Sequence, residues 1–78
     1  MKPNLKLIEN IAENIENEKW GAVVDDIGLI DRPQGYLREI LECLRNDDGE
    51  FSPDSEESER WIKSVGPMLA GEYASGNL

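Results

Sequence analysis

From Asn4 onward the apolar residues Leu5, Ile8, Ile11, Ala12 and Ile15 recur at intervals of three and four, the period of a helix with one buried face. Asn4 is a serviceable N-cap with Pro3 just before it. The spacing predicts a first helix whose other face carries Glu9, Glu13 and Glu16 at i, i+4 and i+7, three carboxylates on one solvent stripe. Trp20, Val23, Val24 and Ile27 keep the helical spacing, and Gly28 is placed to end a second, shorter helix. A strand competes for that stretch, since Gly21-Ala22-Val23-Val24 is β-tolerant. Against it, Asp25-Asp26 follow at once and no partner strand is visible elsewhere.

Asp31-Arg32-Pro33-Gln34 reads as a third start, with Asp31 as cap, Pro33 in the first turn and Gln34 reaching back. Tyr36, Leu37, Ile40, Leu41 and Leu44 then share one face, and Asn46-Asp47-Asp48-Gly49 ends the helix in a turn whose residues favour local side-chain bonding and positive φ. After Phe51, Ser52-Pro53-Asp54-Ser55-Glu56-Glu57 is a fourth start, capped by Ser52 or Asp54, with acids where the positive end of the helix dipole favours them. Trp61, Ile62, Val65, Leu69 and Tyr73 turn inward. Gly66-Pro67 must interrupt this helix, because Pro67 has no N–H to offer the Lys63 carbonyl. Met68 to Tyr73 is expected to form one more turn, and Ala74–Leu78 to fray. Connections this short leave successive helices adjacent, so the expected fold is all-α: a small compact bundle of three to four short helices, one domain over residues 1–78.

Composition narrows the function. Leu, Ile, Val and Phe make 19 of the 78 residues, enough to fold rather than remain disordered. A chain of this length hides only about 60–65% of its unfolded surface, so no enclosed cavity of substrate size is expected. Apolar runs of two or three residues exclude a spanning helix and a membrane partner, since a bilayer needs about 20. The single Cys43 cannot close an internal disulfide, and residues 1–7 lack the apolar stretch of a secretory signal, so a reducing, cytoplasmic setting is expected. Cys43 lies near a helix C-terminus beside Glu42, surroundings that suit a half-buried structural thiol and not a thiolate.

The 17 acidic residues against 8 basic ones leave a net charge of −9, the wrong sign for direct contact with nucleic acid, where cations must neutralise phosphates. With no histidine, the usual general base and the commonest transition-metal ligand are both missing. Paired carboxylates at Asp25-Asp26 and Asp47-Asp48 would need a low-dielectric pocket to do acid–base work, and nothing promises one. The protein is expected to be no enzyme, with no catalytic residue, cofactor or metal ligand. One stretch resembles a calcium-binding EF-hand loop: Asn46, Asp48, Glu50, Asp54 and Glu57 stand at its positions 1, 3, 5, 9 and 12. Phe51 replaces the glycine on which that loop turns, however, and a solvated acidic turn explains the same letters. Trp20 and Trp61 have apolar neighbours at helical spacing and no interleaved cations, so both read as core.

The surface remains. Residues 46–59 hold seven acids, Asp47, Asp48, Glu50, Asp54, Glu56, Glu57 and Glu59, and no basic residue. Together with Glu9, Glu13 and Glu16 they are the candidate partner-binding residues. Carboxylates at i and i+4 stand about 6 Å apart, comparable to neighbouring phosphates on a strand, so such a face can imitate DNA or RNA before the basic surface of a nucleic-acid-binding protein. Exposed parts of Trp20, Tyr36 or Phe51 would supply an apolar anchor. In size, acidity and helix content the chain resembles the anti-CRISPR inhibitors and the immunity proteins that neutralise nuclease toxins, a resemblance of type carried by no particular residue. It implies an inhibitor acting by protein–protein interaction. The alternative is a small helical adaptor or assembly subunit that binds a protein through an apolar groove, the acids serving only solubility, with Trp61, Pro67, Met68 and Tyr73 as the candidate patch.

Overall fold

The computed structural model describes all of Met1–Leu78. α1 (Leu5–Glu16) begins as expected at Asn4, whose side-chain oxygen accepts the Leu7 amide at 3.0 Å. It buries Leu7, Ile8, Ile11 and Ile15, while Leu5 on the first turn stays 49% exposed. α2 (Trp20–Gly28) is a helix and not the competing strand, and it buries Trp20, Val23 and Ile27 against α1. The two helices are also linked by Asn14, whose amide donates to Asp26 at 2.9 Å. α3 (Gly35–Cys43) contributes Leu37 and Ile40, and α4 (Glu56–Val65) contributes Ile62 and Val65 to the same core. No polar or charged residue is buried in it.

The all-α expectation is corrected. After Cys43 the chain leaves the helix and forms an antiparallel hairpin of β1 (Leu44–Asp47) and β2 (Glu50–Pro53), so the fold is predominantly helical with a small two-stranded sheet. Leu44 is buried as the helical pattern required, but from a strand. Asp48 at φ +53° and Gly49 at φ +86° form the two-residue link, both in the left-handed region that matches the twist of the strands it joins. Asn46 Oδ1 accepts the Gly49 amide at 3.0 Å, the local side-chain bond expected of this turn. Opposed residues of an antiparallel pair share a face. Leu44 with Pro53 and Asn46 with Phe51 therefore share the face on which Leu44 is buried, Asn46 itself being exposed, while Arg45 with Ser52 and Asp47 with Glu50 share the other. An isolated hairpin is marginal in water. Here α2 and α4 pack on β2, and Phe51 joins the edge of the core.

Two helix starts also move. Asp31 does not cap α3; Gln34 is the N-cap, in extended conformation, and the Asp31 carboxylate instead accepts the Met1 amino group at 2.9 Å. Gly35 follows at φ +56° with the Asn77 carbonyl so near that a Cβ would stand 3.1 Å from it. Neither Ser52 nor Asp54 caps α4. Ser52 is paired in β2, the Asp54 amide bonds the Cys43 carbonyl, and Ser55 Oγ accepts the Ser58 amide at 3.0 Å.

Gly66–Pro67 interrupts the last helix as expected. A 3₁₀ turn (Gly66–Met68) bends the chain into α5 (Leu69–Ala74), which packs on α1 and buries Leu69. Ala74–Leu78 is held rather than frayed. Gly76, at φ +77°, donates to the Tyr73 carbonyl and Asn77 to that of Glu72, the paired bonds of a Schellman ending. Leu78 then lies against the core. No helix is long and apolar enough to cross a membrane.

Candidate functional site

The ten candidate carboxylates fall into two groups. Glu9, Glu13 and Glu16 stand exposed on α1, where the helical period places them on one side of the axis over about 10 Å. They form one wall of an open groove of 560 Å³ between α1 and the corner at Gly66–Ala70. Its floor is Ala12 and the edges of Ile8 and Ile15; Pro67 and Ala70 stand opposite the acids. Gly66 makes the close approach possible. A Cβ there would lie 3.2 Å from Ile15 Cγ2, and Ile15 is itself buried. Lys63 is the cation of this groove, and its Nζ is already drawn to Glu18 Oε1 at 3.4 Å.

The second group follows the hairpin. Asp47 and Glu50 sit opposite one another on its outer face, Asp48 is in its turn, and Asp54 lies just beyond β2. Glu56, Glu57 and Glu59 occupy the first turn of α4, where the unpaired amides of the helix start favour negative charge. Glu59 is half-exposed and the other six are exposed. Arg45, just outside the acidic segment in sequence, is folded onto it: its Nε and Nη2 each lie 3.0 Å from Asp47 Oδ2. A run of acids in the letters does not show this neutralisation, which depends on residues i and i+2 of a strand sharing a face.

α4 starts beside β2 and ends at the groove; along it Glu59, the last acid of the second group, stands one turn, about 6 Å, before Lys63 of the groove, with Arg60 exposed between them. Within each group the carboxylates are free. Of the ten, only Asp47 takes part in an ion pair or a side-chain hydrogen bond.

The expected aromatic anchors are mostly withdrawn. Trp20 is 8% exposed, and Tyr36 and Phe51 are half-buried. Tyr36 makes an edge-on contact with Trp61 at 6.1 Å between ring centres. Cys43 is a half-buried free thiol. No three acidic or thiol side chains converge closely enough to hold a metal ion, and the segment that resembles a calcium loop is the hairpin, with Asn46 engaged by Gly49. The sequence pattern placed Ala12 on the inner face of α1 but in no site, and it did not single out Ala70 at all. Their one advance sign was the Gly66–Pro67 break, which forces a corner against α1. Comparisons with protein-family models, with curated proteins and with solved structures find no match to the chain.

Proposed function

We propose that the chain is a non-enzymatic binding protein that inhibits or regulates a nucleic-acid-binding protein by offering carboxylates where that partner expects phosphates. The observation that carries this reading is that nine of the ten candidate carboxylates have no ion-pair or hydrogen-bond partner, eight of them exposed. Like charges held together in a small domain oppose folding, and nearby lysines would relieve them at no cost to solubility. Left unpaired, they are available to a partner's arginines and lysines and speed the encounter. A single cysteine without a disulfide partner suits a reducing, cytoplasmic setting for such a complex.

The test is capture of proteins from a low-salt lysate on the immobilised chain, with elution by rising salt. Nucleic-acid-binding proteins should be released by about 0.5 M salt, where the screening length has fallen to a few ångströms. The variant D47N/D48N/E50Q should bind the captured protein at least about tenfold more weakly, or 1.4 kcal/mol. These side chains are exposed, and loss of the Arg45–Asp47 pair costs stability only about 0–1 kcal/mol, so weaker binding would not reflect unfolding. Retention that ignores both salt and the variant would reject the proposal.

A second reading, a helical adaptor with the acids serving solubility, is favoured by the exposure of Pro67 and Met68, the latter 47%, at the corner beside the groove. Trp61 and Tyr73, the other members of its candidate patch, are half-buried. It calls for salt-insensitive binding.

A further inference from the structure

We propose that the groove between α1 and the Gly66–Ala70 corner docks a basic amphipathic helix of a partner protein, its cations on Glu9, Glu13 and Glu16 and an apolar side chain on Ala12. This rests on the reading of the chain as an acidic binding protein and narrows it to a place and a partner chemistry.

The two acidic groups differ in what accompanies the charge. The hairpin acids line neither of the two main concavities of the surface. The α1 acids border an open groove of 560 Å³. Exposed ion pairs alone contribute little, and binding energy concentrates where an apolar anchor enters a pocket rimmed by polar groups. The groove has both parts, with Ala12, Pro67 and Ala70 for the anchor and three unpaired carboxylates at its lip.

The sign of the charge selects the occupant. An acidic segment is repelled by Glu9, Glu13 and Glu16, and nucleic acid is repelled in the same way. A neutral apolar segment leaves those carboxylates without partners as it closes over them. A segment with lysine or arginine beside an apolar residue satisfies both surfaces. The acids are spaced i, i+4, i+7 along a straight helix, so a second helix laid along the groove meets them with cations at matching intervals, and the small side chains of Ala12 and Ala70 let its backbone come close. Lys63 does not compete for the acids, being directed to Glu18.

The experiment is an amide NMR titration of the full chain with two synthetic stapled helical peptides of about three turns. One carries Arg at i, i+4 and i+7 with Leu at i+3; the other has Ser in place of Leu and the same charge. The Leu peptide should shift the amides of Ala12, Glu13, Lys63 and Ala70, and should bind at least about tenfold more tightly than the Ser peptide. A12R, which fills the floor, should remove that preference. If A12R does not fold, A70R on the exposed opposite wall serves instead, the amide spectrum reporting the fold in either case. Equal binding of both peptides, or shifts confined to residues 47–59, overturns the groove and leaves the acidic-surface reading standing. No binding of either peptide at low salt overturns the groove as well, and if the lysate capture also fails to respond to salt, both readings fall.

Discussion

Glu18 closes α1 in the left-handed region, at φ +57°, a conformation that residues with a Cβ adopt at a cost of about 1–2 kcal/mol. It is held there by two bonds: its own amide to the Ile15 carbonyl and that of Lys19 to the Asn14 carbonyl. The geometry is the one Gly76 supplies at the end of α5 without that cost. E18G and E18A both remove the exposed pair with Lys63, so their difference reports the backbone alone. E18G should be the more stable by about 0.5–1 kcal/mol once the extra freedom of unfolded glycine is subtracted, a Tm gap of about 2–8 °C in a domain this small. Equal melting temperatures would mean that the turn relaxes when the side chain is cut back.

Among the elements, the two glycines flanking the corner make opposite demands. Gly71 lies in α5 with open space where a Cβ would go, so G71A should stabilise by about 0.4–1 kcal/mol. At Gly66 the same methyl group meets Ile15, which is 1% exposed and stiff at χ1. Overpacking of about 1–3 kcal/mol exceeds the gain in helix propensity, so G66A should destabilise by about 1 kcal/mol. Thermal unfolding of the two variants checks both signs; a stabilised G66A would show that α1 and the corner can part. These elements were readable in the letters to different degrees. α1 was legible because a cap, a three-four spacing and a four-residue buried face all agreed. The hairpin was not, because Leu44 satisfies the helical pattern seven residues after Leu37 and strands of four residues are too short to display alternation. The overlooked signal was Asp48-Gly49, the pair most suited to a two-residue hairpin link. The start of α4 was misplaced for the same reason, since Ser52 was taken up by β2 and left capping to Ser55.

At the scale of the molecule, the composition announced a surface and the fold divided it. Glu9, Glu13 and Glu16 could be assigned to one helix face from spacing alone. That the hairpin acids would sit at the other end of α4, with Arg45 drawn onto Asp47, depends on tertiary packing that no local pattern encodes. The candidate acids thus form two groups, of which the one on α1 borders an apolar groove. The most direct test of phosphate mimicry is competition: a fluorescent DNA duplex is bound to the protein captured from lysate, and the chain is added while anisotropy is followed. Displacement of the duplex at low salt, weakened at least about tenfold in D47N/D48N/E50Q, is the result predicted. A chain that binds its partner while the duplex stays in place would contradict it.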